Sequence, residues 1–423
     1  MSLDAFTIAA IVVVAAAVVA FLNHLTFRLP NTIALTLAGA VASAVVVIVD
    51  RIAPQTHLAD TIRTFLEHID FRAALLNVML SFLLFAGALQ IDVHLIRRAK
   101  WLIGGLSTIG VAVSTLIVAG GFRLLTGAFG VEVPWIWCFA FGALISPTDP
   151  VAVIAILQRS AAPELLKTTV AAESLFNDGV GIVAFNIVLG LVITGAGTTP
   201  VEAVRMFAVE AVGGAILGAG LGVLGYWTLR SIEDYATEAL ITVALVMGGY
   251  AVATPLGVSG PVAMAVAGLI IGNYALAHGV SEITRDYLIK FWDLVDHILN
   301  ATLFLLIGLQ GIALLTRPLL FLIGLAGIGL VLIARAASVA PPLLIGRRLV
   351  SFRQAFPLLT WGGLRGGICI AMALALPPSP TRDVVQVATY LVVMFSVIVQ
   401  GSTIGPLIAR VFPSAAGPAS SAA

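Results

Sequence analysis

Four ionisable residues lie inside otherwise apolar stretches of this 423-residue chain. They are Asp149 in "GALISPTDPVAVIAIL", Glu173 and Asp178 in "AAESLFNDGVGIV", and Arg365 in "TWGGLRGGICIAMALAL". A charge at the centre of a bilayer costs roughly 2.5–3.5 kcal/mol on insertion scales, and such residues face a partner or a water-filled path. If one carboxylate pairs with the arginine, two remain. Two unpaired carboxylates in a low-dielectric site cannot both stay charged and empty, so they must share protons or hold a cation. A site that holds either protons or a cation is, by competition, a site of exchange.

The spacing refines this. On a helix Ser174 and Asp178 are one turn apart and share a face. A hydroxyl stacked on a carboxylate offers oxygen ligands to a hard cation. Glu173 and Asn177 lie on an adjacent strip. Glu173 is expected to pair with Arg365, and Asn177 offers a carbonyl oxygen without adding charge. Pro147 and Pro150 remove backbone donors and clash with the preceding turn, so "SPTDP" should unwind around Asp149. Unwinding frees carbonyls such as that of Thr148 to face an ion. It also leaves half-helix ends, of which the N-terminal one favours an anion and the C-terminal one a cation. Backbone of this kind is tolerated at membrane depth where it is buried in protein or lines a cavity. The four glycines around Arg365 mark a second loosened helix. Interrupted spans in corresponding positions of two halves point to a transporter's binding site.

The elements that must position these residues are membrane helices. The chain is 60% hydrophobic and 10% charged, against roughly 25% charged in a soluble domain. Apolar runs give about thirteen spans, near 5–22, 32–50, 73–90, 101–122, 134–158, 165–195, 202–229, 236–254, 258–276, 292–315, 318–346, 354–376 and 383–412. The fold class is therefore an all-α polytopic membrane protein. The breaks fall in the fifth and twelfth spans, which correspond if the first six and last six spans are inverted repeats. The stretch 51–72 reads as interfacial, and 413–423 as a short disordered tail. Loops on one side hold thirteen Lys and Arg and loops on the other seven. The basic side should be cytoplasmic, with the N-terminus outside and the C-terminus inside. "MSLD" lacks the basic start of a signal peptide, so the first run is expected to be retained. The net charge of +1 gives no reason to expect nucleic acid. Cys138 and Cys369 sit in apolar runs and read as packing residues.

"SPTDPVAV", "ESLFNDGVGIV" and "GGLRGG" together closely resemble the monovalent cation/proton antiporters, in the Asn-Asp branch of the NhaP-type Na⁺/H⁺ exchangers. Weaker similarity covers nearly the whole chain, including "FAGALQIDVHLI", "GVSGPVAMAVAGLIIGN" and "FWDLVDHILNATLFLLIGL". The resemblance implies a single transmembrane domain over 1–412. A core bundle (about 101–195 and 318–412) would carry two crossed, discontinuous helices. A second bundle (about 5–90 and 202–315) would form a homodimer interface. It implies alternating access, with a monovalent cation and a proton as substrates and no cofactor. The lack of targeting extensions and the short tail point to a bacterial inner membrane. Residue by residue, Asp178 matches the ion- and proton-binding aspartate and Asn177 its preceding Asn. Asp149 and Thr148 match the unwound positions, Ser174 a ligand hydroxyl, and Glu173 with Arg365 a core salt bridge. The Asn-Asp branch is associated with electroneutral one-for-one exchange. The family's helix-3 glutamate is replaced here by Ala86, which bears on the choice among Na⁺, Li⁺ and K⁺.

Plainer readings stand beside these. Asp149 would also serve as the cap of a broken helix. Arg335, in the eleventh span, is either a core pair partner or a snorkelling side chain. His297 reads as a local hydrogen-bond partner, and "GGAILGAGLGVLG" as small-residue helix packing. Two other function classes use similar residues. An intramembrane aspartyl hydrolase also needs two membrane aspartates sharing a proton, but no peptide-cutting motif accompanies them. A channel or uniporter would use the same site without coupling.

Overall fold

The computed structural model describes residues 5–53, 79–195, 199–313 and 318–413. Every regular element among them is helical: α1 (Ala5–Leu25), α2 (Asn31–Ile52), α3 (Leu80–Leu89), α4 (Val93–Ala128), α5 (Trp135–Ile145), α6 (Val151–Leu157), α7 (Glu164–Thr194), α8 (Pro200–Arg230), α9 (Tyr235–Leu256), α10 (Gly260–Ile270), α11 (Glu282–Leu309), α12 (Pro318–Ile345), α13 (Phe352–Trp361), α14 (Gly367–Ala375) and α15 (Pro380–Val411). Eight of the described helices are long and apolar enough to cross a membrane by themselves, and shorter apolar helices accompany them. Each expected span contains helix, although thirteen separate crossings go beyond that figure. Residues 54–72 of the interfacial stretch, the start of the third span and the tail from 414 lie outside the described residues, while Arg51 and Ile52 end α2.

Local chemistry sets many of the boundaries. Thr199 and Glu202 form a reciprocal capping box at the start of α8, with Pro200 at the first helical position. Ser259, Ser281 and Ser379 cap α10, α11 and α15, each side chain accepting from a backbone N–H three residues on. Such caps satisfy donors that a helix start leaves unpaired. Gly195 and Gly257 close α7 and α9 in the left-handed region, where a side chain is disfavoured.

The helices pack in two neighbourhoods. In one, α8 lies on α10, α10 on α3, and α11 on α2. A Cβ at Gly218 would run into the Ala263 backbone and one at Gly39 into the Gly308 backbone, so the helices touch main chain to main chain, as small residues allow in a bilayer. In the other, α4 packs on α5 and α12, and α12 on α13 and α15. There α7 runs alongside α4 and α5. Most of its buried side chains lie on its central turns, and they include Glu173, Ser174, Asn177 and Asp178.

Two helices are broken, as the prolines and glycines predicted. The first break separates α5 from α6 and spans Ser146 to Pro150. The second separates α13 from α14 and spans Gly362 to Gly366. The unwound segments meet in an isolated antiparallel bridge between Asp149 and Leu364.

Candidate functional site

The site is built on that bridge. Asp149 N–H donates to the Leu364 carbonyl at 2.8 Å. Two main chains that have lost their own helical bonds thereby satisfy each other, which is what buried irregular backbone requires. The approach depends on Gly366, where any Cβ would occupy the space of the Asp149 carboxylate.

Each break is held by the long helix after the broken one, α7 for the first and α15 for the second. At the first, Thr148 N–H donates to Asn177 Oδ1 (3.2 Å), and Asn177 Nδ2 donates to Thr148 Oγ1 (2.7 Å) and to Glu173 Oε1 (3.0 Å). The hydroxyls of Thr148 and Ser174 lie 3.2 Å apart. At the second, Ser396 Oγ accepts the Arg365 N–H (2.7 Å) and donates to Gln400 Oε1 (2.7 Å). Gln400 Nε2 in turn donates to the Trp361 carbonyl (2.8 Å), one of the orphan acceptors at the end of α13. Ser396 and Gln400 sit on a π-helical turn of α15, a distortion that commonly accompanies functional sites.

The half-helix ends receive the charges that their dipoles favour. At the N-terminal end of α6, Asp149 Oδ1 accepts the Val151 N–H (3.0 Å). At the C-terminal end of α5, Arg365 Nη1 donates to the Pro147 carbonyl (3.2 Å). At the C-terminal end of α13, Arg335 Nε donates to the Leu359 carbonyl (3.0 Å). Asp149 is thus a helix cap as well as a candidate ligand.

The expected Glu173–Arg365 salt bridge is corrected. Glu173 pairs with Arg335, whose Nη1 and Nη2 bond Oε1 and Oε2 at 2.7 and 3.0 Å. The reason is geometric. Arg335 descends from α12 past Gly363, where a Cβ would strike its guanidinium, and meets Glu173 in a two-pronged fork. With Asn177 also donating to Oε1, both carboxylate oxygens are engaged. Arg365 is fully buried, and its Nε and Nη2 have no hydrogen-bond partner among the described residues. Of the two open readings of Arg335, pairing is therefore the right one.

Asp178 is the remaining carboxylate. It is 6% exposed, one turn beyond Ser174, and takes no hydrogen bond from another described residue. The like charges of Asp149 and Glu173 act on it, and so does the opposite charge of Arg365. The structure thus gathers Thr148, Asp149, Glu173, Ser174, Asn177, Asp178 and Arg365 around one crossing. Arg335, Ser396 and Gln400 complete it and were not assigned from sequence. The last two left no distinct signal, since "SVIVQ" reads as part of a plain membrane helix. Ala86 is fully buried, in an apolar cluster with Phe85, Met264 and Trp292.

Comparison with known proteins decides what kind of crossing this is. Residues 11–410 match the family described as "Sodium/hydrogen exchanger, transmembrane". The chain belongs to that family. The exchanger is 42% identical over 397 residues to the Na⁺/H⁺ antiporter NhaP of Pseudomonas aeruginosa, covering 93% of each chain. It is 31% identical to the Na⁺/H⁺ antiporter NhaH of Halobacillus dabanensis, covering 90% of this chain and 92% of that one. Its fold is that of the sodium proton antiporter MjNhaP1 of Methanocaldococcus jannaschii, with a TM-score of 0.72, 21% identity, and 96% and 98% of the two chains covered. The exchanger is an integral membrane transporter of the NhaP type.

Proposed function

We propose that this exchanger trades one Na⁺ for one H⁺ at Asp178, with Asp149 assisting, and that Li⁺ and K⁺ compete at the same place. The observation that carries this reading is that Asp178, alone among the buried carboxylates of the crossing, is neither hydrogen-bonded nor fork-paired. It is the one free to bind a proton or a cation. The Ser174 hydroxyl and the Thr148 hydroxyl or carbonyl supply neutral oxygens. Asn177 acts chiefly as a brace, because both ends of its amide are engaged by Thr148 and Glu173.

The charge count supports strict one-for-one exchange. Asp149, Glu173 and Asp178 face Arg335 and Arg365, so three carboxylates against two guanidiniums leave one negative charge. One proton or one monovalent cation neutralises it, and no second charge needs to travel. The two packing neighbourhoods support alternating access, in which α4–α7 and α12–α15 move past a homodimeric scaffold made of the remaining helices. The excess of basic residues in one set of loops supports an N-terminus outside and a C-terminus in the cytoplasm of a bacterial inner membrane.

The test uses purified protein in liposomes with an acid interior, a pH dye and a clamped potential. Addition of Na⁺, Li⁺ or K⁺ should alkalinise the interior in wild type and not in Asp178→Asn. Full exchange by Asp178→Asn would remove the site from this carboxylate.

A further inference from the structure

α11 and α15 belong to different packing neighbourhoods, and alternating access requires one neighbourhood to move past the other. The crossing gives the level at which they meet. A Cβ at Gly367, where α14 leaves the crossing, would strike the Leu303 side chain of α11, and Ser396 of α15 braces Arg365. Gly308 lies five residues after Leu303, and Tyr390 six residues before Ser396. At 1.5 Å of rise per residue, both stand about 7–9 Å from the crossing. By the count of basic loops, this is its outer side.

There the buried Tyr390 hydroxyl donates to the Gly308 carbonyl at 3.0 Å. The same carbonyl accepts from Ser43 of α2 at 3.2 Å, a hydroxyl shared with the Leu309 carbonyl at 2.8 Å. One acceptor therefore serves two donors. Ser43 lies on its own side of the boundary, and Tyr390 reaches it from the other side. Gly311 leaves room for that reach, since a Cβ there would stand 2.7 Å from the Tyr390 hydroxyl. On the other side of the crossing α2 meets α15 through apolar atoms, and a Cβ at Gly401 would stand 3.4 Å from Ile33 Cδ1. Apolar contact is non-directional and lets surfaces slide, whereas a hydrogen bond is directional and has to break.

We propose that Tyr390 ties the moving helices to the scaffold, and that its bond to Gly308, closed in this structure, breaks each time the outer path opens. The proposal rests on the alternating-access reading above. The tie weights the equilibrium between the two facing states by the net worth of one hydroxyl–carbonyl bond, about two- to tenfold. Tyr390→Phe keeps the ring, and the Gly308 carbonyl keeps Ser43. The substitution therefore removes the tie without stranding a buried acceptor.

Hydrogen–deuterium exchange of the full chain in lipid nanodiscs tests it, read over residues 386–392 of α15. Tyr390→Phe should speed uptake there by about two- to tenfold while the thermal unfolding midpoint stays near wild type. Gly311→Ala, which pushes the hydroxyl off its acceptor, should speed it likewise. Ser43→Ala is the control, because it removes the donor that does not cross the boundary, and it should leave uptake over 386–392 unchanged. Unchanged uptake in Tyr390→Phe would overturn the proposal. Equal acceleration by Ser43→Ala, or a much lower midpoint in Tyr390→Phe, would also overturn it, since the bond would then be general packing. A further variant separates the two ideas. Ser43→Cys with Tyr390→Cys, bridged by a short bismaleimide, should stop exchange in liposomes. Exchange persisting in the bridged protein would sink movement across this boundary altogether, whereas failure of the deuterium result alone sinks only the tie.

Discussion

At the scale of single residues, the site divides its carboxylates by partner. Glu173 is locked by Arg335 and Asn177, Asp149 caps α6, and Asp178 is left to react. Asp178→Asn should therefore abolish exchange in a protein that purifies and unfolds like wild type. Arg335→Ala should do the opposite. It strands Glu173 as a buried, unpaired charge and leaves the Leu359 carbonyl without its donor. Truncating one member of a buried pair costs about 3–5 kcal/mol, visible as a large drop in the thermal unfolding midpoint in detergent. Combining it with Glu173→Gln should recover much of that loss, and a double variant no more stable than Arg335→Ala would contradict the pairing. The sequence made Asp149, Asp178, Ser174 and Thr148 legible because each breaks an apolar pattern at a telling spacing. It did not reveal which arginine meets Glu173. That choice depends on a contact across 162 residues and on the clearance at Gly363, neither of which leaves a periodic trace.

At the scale of elements, two broken helices exist because each lends the other what it lacks. The Asp149–Leu364 bridge, the arginines at the C-terminal ends of α5 and α13, and the braces from α7 and α15 replace the helical bonds that the prolines and glycines remove. Gly366→Ala should push the Asp149 carboxylate out of place and impair exchange far more than Gly327→Ala, a position on α12 with open space around it. Equal activity of the two variants, in the liposome assay, would mean that the close crossing is unimportant. Ser396→Ala should leave the Arg365 N–H buried without an acceptor. That costs about 1–3 kcal/mol, and it can be read from the unfolding midpoint. The breaks themselves were readable from "SPTDP" and "GGLRGG", since proline and glycine act locally. The π-helical turn that carries Ser396 and Gln400 was not, because nothing in "SVIVQ" by itself departs from a plain membrane helix.

At the scale of the whole molecule, composition alone identified a membrane-embedded helical protein, the charges within its spans pointed to a transporter, and the order of three motifs gave its family. The correspondence between the two breaks was inferred without any visible internal repeat. In the structure Asn177 on α7 braces the first break, and Ser396 and Gln400 on α15 brace the second. The single negative charge left at the crossing turns into a statement about transport. If proton and cation exclude each other at Asp178, as proposed, apparent cation affinity depends on pH while net charge movement stays at zero. The most direct test measures the KM for Na⁺ in proteoliposomes from pH 5 to pH 9 with the potential clamped. The account predicts that KM rises as pH falls, approaching tenfold per unit on the acid side where one proton competes for one site. A KM that stays constant across the active range would contradict it.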